Sequence, residues 1–245
     1  LIVKTPEQLA EAITVFIFIQ PIAFNSGNFN PKTTSLYSII KNIAKDIILY
    51  LLLSTATFAM LLTIVQYAGF KTDVGFLLMK QDYLSNDVWR AAFYTHVFSS
   101  IFTLCAGFTQ FSSFVLKQHR KLHTIIGKIY AYDIFFINFP AGMIMAVYAN
   151  GHLPSKIAFV MLDILWCWFT YRAVVAAKNG DIKAHRANMI RSYALTLSAI
   201  TLRTWKIILS ACFQLDPLTV YMIDAWMGFV PNLLFAEWLI RKKLL

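Results

Sequence analysis

Charge is what this sequence has least of. Only 14% of its 245 residues are Asp, Glu, Lys or Arg, where soluble domains carry about 25%. Hydrophobic residues make up 58%, and the mean hydropathy is +0.61. Both shifts argue against a large soluble domain and for a polytopic membrane protein. Acids are scarcer than bases, 12 against 22, giving a net charge of +10. The bases sit in short blocks between apolar runs, without an Arg/Lys-rich arm or a nucleic-acid motif. They therefore suit lipid headgroups and topology signals rather than nucleic acid. Cysteine is rare. Cys105, Cys167 and Cys212 each lie inside an apolar run with no C-x-x-C spacing. That excludes a disulfide framework or zinc finger and leaves them as small core residues. No nucleophile–base dyad, phosphate loop or spaced carboxylate pair supports hydrolase or kinase chemistry.

The apolar runs define the fold class: an all-α polytopic transmembrane helix bundle of about six spans, with an N-terminal interfacial helix. The spans read as Ile47–Tyr67, Ala91–Leu116, Thr124–Tyr148, Ile157–Ala177, Ala187–Phe213 and Val220–Ile240. Each approaches or exceeds the ~20 residues that cross a hydrocarbon core. The runs are continuous rather than alternating, which excludes barrel strands. Residues 1–45 read as a cytoplasmic or interfacial segment and 46–245 as the bundle. Thr5 and Pro6 start a helix that runs to Ile19. No small-residue cleavage site follows Ile13–Phe24, so no signal peptide is read. "NSGNFNPKT" and "ANGHLPS" are loops by their Gly, Pro and Asn content.

Four basic blocks fall on one side of a six-span chain. They are Lys32/Lys41/Lys45, Lys117/Arg120/Lys121, Lys178/Lys183/Arg186 and Arg241/Lys242/Lys243. The positive-inside rule then predicts an inner-membrane protein with both termini cytoplasmic.

Two spans carry polar stripes at helical spacing. Span two has His96, Ser100, Thr103, Gly107 and Gln110; span five has His185, Met189, Ser192, Thr196, Ala199 and Arg203. Both stripes should face the bundle interior, with Ile190, Leu197 and Ile200 towards lipid. Packing through small residues and hydrogen bonds is one use for them. Charges inside spans are costly unless paired or hydrated, and they mark interior sites. Asp133, Asp163, Arg191, Arg203 and Asp224 are such charges. Arg191 with Asp133, and Arg203 with Asp224 or Asp163, are the expected pairs. Pro140 predicts a kink in span three.

The histidines fall at two levels. His96 and His152 lie towards the outer side; His119, His123 and His185 lie towards the cytoplasm. His123 opens span three and His185 opens span five, so they share a level. Two imidazoles facing each other across a bundle suit b-type haem, each nitrogen roughly 2 Å from the metal. Arg191 would then sit near a propionate. Gly127, between His123 and Tyr130, allows a helix or planar ligand to approach. His119, His123 and His185 also form a candidate metal triad, since His119 and His123 are four apart. Helix capping or headgroup contact accounts for them equally.

The motifs resemble a known family. His96 and "GFTQF" (Gly107–Phe111) are followed by "LHTIIGKIY" (Leu122–Tyr130). Then come "GDIKAHRANMIRSYALT" (Gly180–Thr196) and "TLR" (Thr201–Arg203). This order is similar to that of a largely bacterial family of multi-pass membrane proteins of unknown function, over about Phe93–Arg203. Family members often have Trp before the Met, where this chain has Asn188. The resemblance implies a six- or seven-span helical membrane protein and supplies no activity. A remoter likeness is to transmembrane b-type cytochromes, whose helices carry two histidine pairs. Here the second pair would need His96 with His152, and His152 reads as a loop residue.

Three functions remain open. One is a transmembrane redox protein with an interior His/Arg/Asp site holding haem b, its candidates His123, His185, His96, Arg191, Arg203, Asp133, Gln110 and Tyr130. The second is a non-catalytic subunit that binds lipid or partner proteins. The third is a metalloenzyme using His119, His123 and His185.

Overall fold

The computed structural model describes residues 51, 53–213 and 215–244. Among them there is no strand, and ten α-helices follow one another. They are α1 (Leu53–Val65), α2 (Asp87–Gln110), α3 (Ser113–Gln118), α4 (Arg120–Asp133) and α5 (Phe139–Val147). Then come α6 (His152–Lys178), α7 (Ile182–Thr196), α8 (Ser198–Cys212), α9 (Pro217–Met227) and α10 (Val230–Leu244). The interfacial helix Pro6–Ile19, the loop "NSGNFNPKT" and the start of the first span lie outside the described residues.

Among the described residues, four stretches are long and apolar enough to cross a membrane: Asp87–Gln110, Arg120–Val147, His152–Lys178 and Pro217–Lys242. The pair α7 and α8 makes a fifth if counted as one span, bent by 40°. Their outer faces carry Phe102, Phe136, Leu153, Ile207 and Leu234, all well exposed. Such faces suit hydrocarbon.

The chain divides into two compact units. The described part of the first comprises residues 51, 53–58 and 108–127: the start of α1, the end of α2, α3 and the first half of α4. Ser112 caps α3 by accepting from the Val115 amide. His119 then breaks the helix with φ −131° and ψ 51°.

The second unit comprises residues 59–107 and 128–245. Its centre is α7, which packs most extensively on α6 and also on α10. No residue from Ala187 to Thr196 is exposed. Ile190, Leu197 and Ile200 are therefore partly buried rather than lipid-facing, because helices cover α7 on more than one side. Cys105 and Cys212 are exposed and Cys167 is half-buried, so the expected core cysteines lie on apolar outer faces instead.

Two breaks shape this unit. Before Pro140, residues Ile134–Asn138 form a π-helical turn within the continuous stretch Arg120–Val147. Proline lacks an amide hydrogen and crowds the preceding turn, and the wider turn accommodates it. At Leu197 the bend between α7 and α8 is held by side chains. Ser198 Oγ donates to the Leu195 carbonyl, Thr201 bonds the Gly228 carbonyl, and Asn232 Nδ2 donates to the Ala194 carbonyl (3.1 Å) and Thr201 Oγ1 (3.0 Å). Where the loop after α1 meets the start of α2, Tyr67, Leu77, Trp89 and Phe93 form a hydrophobic, mostly aromatic core. Lys80, 2% exposed, donates to the Tyr148 carbonyl and Asn150 Oδ1. Burial, with Lys156 nearby, pushes its ammonium down to about 8.

Candidate functional site

The richest motif builds α7 and places His185. Gly180 takes φ +75°, a left-handed conformation that favours glycine. Asp181 then caps α7, its carboxylate accepting from the Ala184 amide at 2.9 Å. One turn later, His185 Nδ1 lies 2.9 Å from the Ala173 carbonyl of α6. A carbonyl only accepts, so Nδ1 carries the hydrogen. In the neutral ring this leaves the Nε2 lone pair as the basic position. Asn188 is buried and donates to the Ala184 carbonyl at 2.8 Å.

Further along α7, Ser192 and Thr196 meet Tyr130 of α4. The phenol oxygen is 2.7 Å from Ser192 Oγ and 2.9 Å from Thr196 Oγ1. Trp166 Nε1 donates to Thr196 Oγ1 at 3.1 Å, and Thr170 Oγ1 lies 2.7 Å from Ser192 Oγ. All five residues are buried. Tyr193 takes the next direction. Its hydroxyl donates to the Leu104 carbonyl at 2.9 Å, and its ring fills the space at Gly107, where a Cβ would overlap it.

Arg191 binds Glu237 of α10 through two nitrogens, its Nη2 at 3.0 Å from Oε2. This corrects the expected pairing with Asp133, whose Oδ2 instead accepts from Asn138 Nδ2 at 2.9 Å. The separation is topological: Asp133 sits beside the π turn, and α10 covers Arg191.

The π turn gathers several predicted residues. Asn138 is fully buried; its Oδ1 accepts from Ser99 Oγ at 3.2 Å, and its backbone lies beside the His96 imidazole. His96 Nδ1 has no hydrogen-bond partner among the described residues. Arg203 donates to the Ala199 carbonyl at 2.7 Å, within electrostatic reach of His96 and Asp224. Asp224 is 2% exposed and Asp163 6%, and each keeps one carboxylate oxygen unpartnered among the described residues. Asp163 presses on Gly142, where a Cβ would stand 3.0 Å from both oxygens. His96, Asp133 and Arg203 thus belong to one neighbourhood. His152 is exposed at the first residue of α6, with φ +58°.

In the first unit, Gln110 Nε2 donates to the His123 carbonyl at 3.0 Å. The same side chain occupies the space at Gly127, where a Cβ would approach Gln110 Oε1 to 2.9 Å. Gly127 therefore admits a glutamine. His119 is exposed at the break between α3 and α4. No three His, Cys, Asp or Glu side chains gather as a metal site among the described residues.

Sequence reasoning missed Glu237, Asn138, Trp166 and Thr170. Glu237 had a signal, as the one acid in "FAEWLI"; Trp166 and Thr170 sit in an apolar run that gives none. Neither the curated proteins nor the solved structures contain a match to this chain. The family described as "Predicted membrane protein (DUF2306)" matches residues 93–240, which takes in every motif from the GFTQF stretch to the final span, and the chain belongs to that family.

Proposed function

We propose that this membrane protein is a redox protein that would hold b-type haem, with His185 as one ligand to its iron. The supporting observation is the hydrogen bond from His185 Nδ1 to Ala173. It fixes the tautomer and ring plane and leaves Nε2 as the donor atom, the arrangement that metal-binding histidines use. The donor chemistry at His185 therefore fits the group. Bound haem supplies one-electron chemistry. The chain's own contribution is positional. Ala173 orients the imidazole, Gln110 clamps the main chain at His123, and the Tyr130 network ties α4, α6 and α7 together. Arg191 is committed to Glu237 and is not assigned to a propionate.

A second reading, a non-catalytic subunit, draws on the Tyr130 network. There the polar motif residues satisfy one another, as packing residues do. Haem analysis of protein purified in detergent from haem-replete cells separates the two. The redox reading expects stoichiometric haem b, lost in His185→Ala while Tyr130→Phe keeps it. Haem-free protein from such cells would overturn it and leave the second reading.

A further inference from the structure

The π turn has a consequence on the outer surface. An apolar groove of about 330 Å³ runs between it and α6, lined by Phe135, Phe136, Phe139, Ile164, Cys167 and Trp168. Tyr171 completes the lining. The groove lies on the exposed face of two membrane-crossing stretches: Phe136 is 70% exposed and Trp168 50%. Its lining suits a hydrocarbon chain. In a bilayer, however, hydrocarbon is everywhere, so apolar surface alone selects no occupant.

Charge selects one. Along α6, Ile164, Trp168 and Arg172 follow at four-residue steps on one face, and the Arg172 guanidinium stands 5.8 Å from the Trp168 ring centre. Along the facing stretch, Lys128, Tyr132 and Phe136 make the same stripe, all three exposed. These stretches are consecutive and joined by the short turn 148–151, so they run antiparallel. The beginning of one and the end of the other lie at the same membrane surface. Towards that surface, Lys128 stands roughly 13 Å and Arg172 roughly 7 Å along their helices from the middle of the groove. Lys178, Lys183 and Arg186 follow there, and the acid between them in sequence, Asp181, is engaged in capping α7.

We propose that this groove binds an anionic phospholipid, one acyl chain along Phe136 and Trp168 and the phosphate at Arg172 and Lys128. The site is independent of haem. It is tested on the full chain in phosphatidylcholine vesicles containing increasing fractions of brominated-chain phosphatidylglycerol, or of brominated phosphatidylcholine. The readout is the fluorescence lost between the wild type and Trp168→Phe, which isolates Trp168. Quenching of that component should half-saturate at a phosphatidylglycerol fraction at least about tenfold below that for phosphatidylcholine, the order two headgroup cations supply. Lys128→Gln/Arg172→Gln should bring the two curves together, and Cys167→Phe should weaken quenching by both lipids. Equal curves in the wild type would overturn the proposal, since the groove would then hold bulk lipid. So would a preference that survives in the double variant. A Trp168 component that no brominated lipid quenches would also overturn it, because another protein surface would cover the groove.

Discussion

Two sets of buried polar residues in the second unit are treated in opposite ways. Around Tyr130, hydroxyls and an indole from three helices close a hydrogen-bonded network. At Asp163, Asp224 and His96, polar atoms are buried without a partner among the described residues. An unsatisfied buried group costs about 1–3 kcal/mol, and a satisfied one returns far less than its gross strength. The first set is what a fold keeps for cohesion. The second is a cost retained within the bundle, which is the usual mark of a working interior.

The comparison can be broken by mutation. The largest effect is expected at Gly107→Ala, which forces a Cβ into the Tyr193 ring on the cohesive side; about 3 kcal/mol of stability should be lost. Tyr193→Leu should recover part of it in a thermal melt. Lys80 is next, and acts through pH. Its folded pKa, about 8, lies below the ordinary 10.5, so the folded chain releases a proton that the unfolded chain keeps between those values. Its contribution to stability therefore rises with pH across that window, by on the order of 2–3 kcal/mol. The difference between wild type and Lys80→Met, followed from pH 7 to 11, should show the rise. Tyr130→Phe should cost about 2 kcal/mol by stranding Ser192 and Thr196. A double-mutant cycle on Arg191→Gln and Glu237→Gln should give about 1 kcal/mol of coupling, since both side chains keep some solvent access. Asp163→Asn should change stability least, within about 0.5 kcal/mol, because no bond is broken. A large loss there would place Asp163 with the cohesive set.

The helical bundle was legible because apolar length is a strong signal, and spans two to six overlap the structured stretches. The bend at Leu197 has no mark in hydropathy, since its cause is local: Thr201 and Asn232 bond backbone across a turn. The motif glycines were legible as close approaches, but their partners were not. Gly127 admits Gln110 and Gly107 admits Tyr193, pairings fixed by helix rotation. Arg191 was seen as needing an acid. Asp133 looked nearer by membrane depth, but depth cannot say which helices touch, and Glu237 of α10 holds it. Its level in the membrane marks His185 as a candidate ligand. Its hydrogen bond to Ala173, which sets the donor nitrogen, depends on the α6–α7 contact and has no sequence signature.

The most direct test of the redox account is the dithionite-reduced minus oxidised absorption spectrum of the detergent-purified protein beside its His185→Ala variant. The account predicts a sharp Soret shift with a reduced α band in the wild type, and its loss in the variant at unchanged helical content. A flat difference spectrum in wild-type protein from haem-replete cells, or an identical one in the variant, would contradict it.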